Sequence, residues 1–281
     1  MFDEGQSLGE TMDDGATLVL KVGYRGAGFS GYAYQEGQRT VEGELMRALE
    51  TLLRRPVELT CAGRTDAGVH ALAQYVSLPV TTSELEARAP RRLWRSCMAI
   101  TPEDISIKGL YRANPGFSAR FDALERTYRY RIACGNAQPV LAWDHSWWLR
   151  TELDVDLMAE AAAPLVGEHD FTTFCKVSSA EMLRSQGRST SRFLRSISVE
   201  RATEAGEELI MVRVTGNAFL HNMIRIIVGT LVEVGSGRRP MPWVEEALLA
   251  CDRRAAGPTA PAAGLVFEDV RYAPGTLVPL V

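Results

Sequence analysis

The stretch NAFLHNMIRIIVGTLVEVG, from Asn217 to Gly235, restricts the fold more than any other part of the chain. Phe219, Leu220, Met223, Ile224, Ile226, Ile227, Val228, Leu231 and Val232 make a helix here apolar nearly all the way round, so it must be buried on every side. A chain of 281 residues can surround such a helix with core. Read as helical from Phe219 to Val234, the stretch sets Asn217, His221 and Arg225 at i, i+4 and i+8, a single polar stripe. Between Ile224 and Ile226, a buried Arg225 needs a carboxylate to answer it; the alternative is a helix end open to water. His221 reads as a hydrogen-bonded structural histidine in preference to a catalytic acid.

One carboxylate is offered by CAGRTDAGVH, Cys61 to His70, where Ala62, Gly63, Ala67 and Gly68 strip the bulk from around Arg64 and Asp66. By composition alone this is an ordinary turn. A lone carboxylate among small residues is also what a ligand-accessible nucleophile or base requires, and Asp66 suits Arg225 as a partner. Upstream, Gly26, Gly28 and Gly31 spell the G-x-G-x-x-G of dinucleotide folds. That fold places its third glycine inside an opening helix, whereas Tyr32 to Arg39 intervenes here, so the glycines read as a loop in close backbone approach. In ERTYRYRIA, strand alternation puts Tyr128, Tyr130 and Ile132 on one face and Arg129 and Arg131 on the other. Tyr130 and Ile132 read as core; Tyr128, at the strand's start, is placed either to join them or to stack on a base.

Periodicity predicts strands at 17–24, 57–61, 69–78 and 105–111 with helices at 40–55 and 83–97, then strands at 127–134, 193–201, 208–215 and 265–272 with helices at 155–166 and 219–234. The expected architecture is α+β, two ferredoxin-like (RRM-like) halves, each an antiparallel sheet with helices on one face. The expected division is an acidic tail over 1–16, one half over 17–112, a Pro- and Gly-containing connector over 113–126 and a second half over 127–281. The Ser- and Arg-rich stretch from Cys175 to Arg192 reads as a mobile loop.

The net charge of −4 argues at first against a polyanionic partner, but residues 1 to 14 alone hold five acids and no base, and the remainder stands at +1. From Arg88 to Arg131, nine arginines and one lysine face four acids; from Arg184 to Arg201, five arginines face one. Of the 31 cations 28 are arginines, the side chain whose fork suits phosphate, although genome composition produces the same bias. Five cysteines with no C-x-x-C pair and no histidine at zinc spacing argue against a disulfide framework or a zinc site. No apolar run is long enough for a bilayer span and the first residues lack a signal-peptide pattern, which gives a soluble, cytoplasmic expectation.

CAGRTDAGVH resembles the signature loop of the tRNA pseudouridine synthase A (TruA) family, its aspartate in place. The resemblance runs from about Leu18 to Tyr272 through TVEGEL at 40–45, FSAR at 117–120 followed by RTYRYRI, GEHDF at 167–171, the 217–235 stretch and AAGLVFEDVRY. It implies a pseudouridine synthase fold and isomerisation of uridine in the tRNA anticodon stem-loop without cofactor or metal. It further implies that Asp66 is the nucleophile, attacking either C6 of the base or C1′ of the ribose, and that Arg225 pairs with Asp66. Arg64 would displace the target nucleotide and hold its phosphate, and Tyr128 would stack on the uracil and shuttle a proton. Bacterial members are homodimers whose subunits together form the tRNA cleft. Tyr32-Ala33-Tyr34-Gln35 replaces a common Gly-Trp-Gln, and Met98-Ala99 a common Asn-Ala; both bear on the choice of tRNA, not on the reaction. The alternative class is an RNA binder without catalysis, which has no use for a carboxylate facing phosphate.

Overall fold

The computed structural model describes residues 15–281, and the expected acidic tail falls almost wholly outside them. The first half of the chain forms β1 (Ala16–Tyr24), α1 (Val41–Leu53), β2 (Thr60–Cys61), β3 (His70–Val80), α2 (Thr82–Glu86), α3 (Pro90–Ile100) and β4 (Ile105–Ala113). The rest forms β5 (Glu125–Cys134), β6 (Trp147–Leu149), α4 (Val155–Ala162), β7 (Gly167–Asp170), α5 (Val177–Ser185), β8 (Ser191–Glu204), β9 (Glu207–Gly216), α6 (Met223–Gly235), α7 (Trp243–Ala250), β10 (Leu265–Arg271) and β11 (Val278–Pro279). Among the described residues no helix is long and apolar enough to cross a membrane.

Local chemistry sets the element ends. Thr40 caps α1 by accepting from the Gly43 amide, and α1 closes at Arg54 in the left-handed region, φ 59°, just before Pro56. The single helix expected over 83–97 is two, because Pro90 pushes Ala89 out of the helical region, to ψ 136°, and restarts the helix with proline in its first turn. Pro164 likewise ends α4 in a 3₁₀ turn over Ala163–Leu165. The buried helix starts at Met223 and not at Phe219: Asn222 takes φ 63°, so residues 217–222 are irregular and the expected i, i+4, i+8 stripe does not exist. The stretch expected as a mobile loop contains α5, and β7 and α7 lie outside the expected elements.

The main correction concerns the sheet. The strands expected as one sheet in each half join a single mixed but mainly antiparallel sheet, in the order β11-β4-β1-β3-β10-β5-β9-β8-β7. Strand β10 causes this, since it inserts between the halves, parallel to β3 through His70↔Val266 and Ala71↔Phe267, and antiparallel to β5. Burial follows from it: β1, flanked by β3 and β4, is buried at all but one position, and α6 is enclosed in the same apolar core with α4 packed on it. The seam also sets the Asp66 loop beside β5, because Phe267 pairs in register with Tyr128 while its neighbour Val266 pairs with His70, the residue that ends that loop.

Candidate active site

The loop from Ala62 to Val69 is pinned at Ala62, Gly63, Thr65, Asp66 and Val69. The Ala62 amide donates to the Tyr75 carbonyl at 2.9 Å, and the fully buried Gln74 brackets Gly63, donating to its carbonyl at 2.6 Å and accepting from its amide at 3.3 Å. The Thr65 carbonyl accepts from the Tyr32 amide at 3.0 Å, and the Thr65 hydroxyl shares a hydrogen bond with the Tyr24 phenol at 2.8 Å. The Val69 amide donates to the Asp66 carbonyl at 3.1 Å, a tight turn that needs Gly68 at φ 81°. The upstream glycines explain themselves here. A Cβ on Gly26 would lie 2.0 Å from the Val69 carbonyl oxygen, so the glycine loop is a brace laid against the Asp66 loop, as the close-approach reading expects.

Asp66 then meets the second half. Its Oδ2 accepts from Arg225 Nη1 at 3.2 Å, and Arg225 is itself fixed by donating through Nε to the Ala260 carbonyl at 2.7 Å and through Nη1 to Asn222 Oδ1 at 3.0 Å. The carboxylate demanded by an arginine in an apolar helix is therefore Asp66. His221 Nε2 stands 3.4 Å from Asp66 Oδ1, and its Nδ1 is bonded to the Ser179 hydroxyl of α5 at 3.0 Å. The structural reading of His221 is thus correct only in part: it is hydrogen-bonded, but at the carboxylate and with its side chain 40% exposed. Asn217 goes elsewhere, its Oδ1 accepting from the Phe193 amide.

Asp66 and its partners border a cleft of about 640 Å³ lined by residues of both halves, among them Arg64, Tyr128 and His221. Tyr128 is buried at the cleft wall, gripped edge-on by Phe219 at 5.1 Å and Phe267 at 4.7 Å between ring centroids. Burial pushes its phenol well above the usual range, so the hydroxyl holds its proton firmly. A Cβ on Gly63 would lie 3.5 Å from that hydroxyl, an ordinary contact, so the ring's tip rests beside the Asp66 loop. The Cys61 thiol, beneath the loop, is pushed up to about 12 by burial and takes no part as a thiolate at neutral pH.

Five arginines line the cleft, Arg64, Arg120, Arg126, Arg188 and Arg192, and among the described residues none has a carboxylate within ion-pair distance. Arg126 is not among the residues that sequence singles out. It is 8% exposed and donates only to backbone carbonyls: Ala62 at 3.0 Å, Ala123 at 3.3 Å, Asn217 at 2.6 Å and Arg120 at 2.5 Å. It ties together the Asp66 loop, the connector and the approach to α6 while leaving its charge uncompensated; burial accordingly lowers its pKa from the usual arginine range. The available signal is alternation, which sets Arg126 on the Tyr128 face of β5. Among the described residues no three His, Cys, Asp or Glu side chains converge as a metal site would need.

A family model for tRNA pseudouridine synthase matches residues 161–273. The tRNA pseudouridine synthase A of Methylococcus capsulatus is 40% identical over 256 residues, 91% of this chain and 89% of that protein. The same enzyme of Frankia casuarinae is 42% identical over 267 residues, 94% and 92% of the two chains. That of Brevibacillus brevis is 39% identical and covered over 99% of its length. The chain belongs to the tRNA pseudouridine synthase A family. Pseudouridine synthases are isomerases. An isomerase of this kind exchanges a carbon–nitrogen for a carbon–carbon glycosidic bond within one nucleotide, so a carboxylate, a nearby aromatic ring and unpaired cations are pertinent groups.

Proposed function

We propose that this chain isomerises uridine to pseudouridine in the anticodon stem-loop of tRNA, with Asp66 as nucleophile. The observation that carries the reading is Asp66 itself: a carboxylate 28% exposed at a cleft wall, one oxygen held by Arg225, on a loop braced from both halves. Oδ2 accepts from Arg225 and Oδ1 stands 3.4 Å from His221 Nε2, so on this reading the less tightly held Oδ1 makes the attack. In one route it attacks C1′ and the N1–C1′ bond breaks, leaving a uracil anion; in the other it adds to C6 before that bond breaks. In both, the base turns, C5 bonds to C1′, the carboxylate is released, the C5 proton is lost and N1 gains one. Atoms balance without an oxidant or reductant.

Arg225 aims the carboxylate and balances its charge through a charge-assisted hydrogen bond. Tyr128 supplies an aromatic edge beside the uracil and a neutral hydroxyl, and Arg64, exposed on the same loop, takes the phosphate of the displaced nucleotide. Extracting the base from its stack costs a few kcal/mol, and unpaired arginines in the cleft offset it through phosphate contacts. On this reading residues 17–112 and 127–281 are ferredoxin-like halves of the one continuous sheet, and each gives one wall, the first Asp66 and Arg64, the second Tyr128 and Arg225. A cytoplasmic homodimer completes it; exposed Val140, Leu141 and Trp143 are apolar surface for a second subunit to cover.

The test is conversion of an unmodified tRNA transcript by the wild type and by Asp66→Asn, with pseudouridine mapped by position. The wild type forms pseudouridine in the anticodon arm, and the variant, unchanged in melting temperature, loses on the order of 10⁴-fold in rate. An Asp66→Asn enzyme that keeps the wild-type rate ends the nucleophile assignment.

A further inference from the structure

The segment from Lys176 to Arg192 has no role in the isomerase reading, yet it is built rigidly against the cleft. The Lys176 amide donates to the His221 carbonyl at 3.1 Å, and Ser179 on α5 bonds His221 at 3.0 Å, so its near end is fixed beside Asp66. After α5, Gly187 turns the chain at φ 64°, and the Arg188 amide returns to the Leu183 carbonyl at 2.8 Å. The far end is tied by Thr190, whose hydroxyl donates to Asp170 Oδ1 at 2.7 Å; the same oxygen accepts from the Thr172 hydroxyl at 2.7 Å and amide at 2.9 Å. Asp170, the carboxylate at the base of the segment, is thus occupied by hydroxyl and amide donors and makes no ion pair with either arginine.

What the segment holds up is a pair of cations. Arg192 Nη1 donates to the carbonyls of Ser189 at 2.9 Å and Ser191 at 2.6 Å, its Nε is buried without a partner, and its Nη2 makes no hydrogen bond among the described residues. Arg188 beside it is exposed and unpaired. Burial first and Arg188 second pull the Arg192 pKa below the usual range. Two guanidinium groups that line one cleft, one of them partly desolvated and neither facing an acid, are unfavourable in the free protein, and an anion entering the cleft would relieve them.

We infer that Arg188 and Arg192 form a clamp for RNA backbone phosphate next to the target nucleotide, set in fixed register to Asp66 by the Ser179–His221 contact. The inference rests on the proposed tRNA substrate for its ligand and adds the groups that grip the strand. A phosphodiester offers two non-bridging oxygens to two forks, and Arg192 has Nη2 to give while Arg188 has its whole guanidinium. The clamp reads backbone position and carries no base preference.

The experiment measures the affinity of an unmodified tRNA transcript against salt concentration, using Asp66→Asn protein as the background so that no turnover intervenes. Arg188→Ala and Arg192→Ala each weaken binding about tenfold at low salt and each reduce the slope of log affinity against log salt by about 1. Arg188→Lys and Arg192→Lys restore the slope, because it counts charges. Arg195→Ala, from the same basic stretch but with its guanidinium on Glu125, leaves affinity and slope unaltered. Slopes for both alanine variants equal to that of Arg195→Ala overturn the clamp. Should Arg192→Ala melt early, exposed Arg188 alone decides. Binding is read apart from catalysis, so failure of the clamp leaves the isomerase reading standing, and a wild type that makes no pseudouridine ends that reading without touching the slopes.

Discussion

One strand sends arginines to both sides of the sheet, and the two sides treat them oppositely. From β5, Arg129 and Arg131 reach Glu204 at 2.8 and 2.6 Å, and Arg129 also faces Glu268 at 3.6 Å, which Arg213 of β9 shares at 2.8 Å. On the other face, Arg126 finds only carbonyls, and the four further arginines of the cleft find no acid. A run of basic residues in a sequence therefore overstates the charge available to a ligand. Strand alternation sorts it into a face neutralised by acids and one whose cations are left open to a ligand.

The largest effect expected from this contrast is at Arg126. Arg126→Ala removes the shared donor of four carbonyls on loops that meet through it, and about 3 kcal/mol of stability goes with them, together with activity. Chemical denaturation measures this. A loss below about 1 kcal/mol would mean that the loops hold without it and that its uncompensated charge is its only contribution.

Next comes Arg225. Arg225→Met takes the guanidinium from Asp66 while keeping apolar bulk in α6, so kcat falls on the order of 10²-fold and tRNA affinity changes little, because the lost contact is to the carboxylate and not to phosphate. If affinity falls in step with kcat, Arg225 belongs with the phosphate-binding arginines and the contrast between a pairing and a gripping arginine inside the cleft is lost.

The pairing of Asp66 with Arg225 is legible in the sequence because a guanidinium flanked by isoleucines leaves few solutions. The close approach of the glycine loop is legible for a related reason, and Gly26 and Gly31 do lie against the backbone of the Asp66 loop, whereas Gly28 faces the side chains of Arg39 and Asp104. His221 is misplaced by stripe arithmetic that assumes helix through 217–222, and one left-handed residue, Asn222, breaks it while still delivering His221 to Asp66. Arg126 is invisible because its partners are carbonyls from Ala62 to Asn217, which no residue type announces. The single sheet is invisible because it depends on β10 crossing to lie beside β3, a pairing across nearly two hundred residues with only two registered pairs. The helix α5 is hidden because VSSAEMLRS is too short and too polar to display a period.

On the neutralised face the prediction is modest. Glu204→Gln strips the shared carboxylate from Arg129 and Arg131, and because Glu204 is itself 31% exposed the cost is about 1 kcal/mol, with pseudouridine formation unchanged. Comparing melting temperature with turnover in this one variant separates the two faces directly: stability moves and activity does not. A loss of activity without a loss of stability would show that the back of the sheet also meets RNA.

The smallest effect links the faces. His70 lies among Arg131, Arg25, Asp144 and His145 of the neutralised side, yet its Nδ1 accepts from the Gly26 amide at 3.2 Å, the same glycine that braces the Asp66 loop. Burial, helped by His145, lowers its pKa, so the folded protein keeps it neutral where the unfolded chain, at about 6.5, takes a proton. The unfolded state then binds more protons, and stability falls as pH drops through and below about 6.5, by at most about 1.4 kcal/mol per pH unit for this one group. The carboxylates held low by their partners, such as Glu84 beside Arg55, lose their contribution only nearer pH 4, so the windows are separate. His70→Asn keeps an acceptor for the Gly26 amide and removes the titration, and its stability between pH 7.5 and 5.5 should be flatter than that of the wild type. Equal slopes would remove His70 as a source of acid sensitivity and would cut the proposed tie between that face and the Asp66 loop.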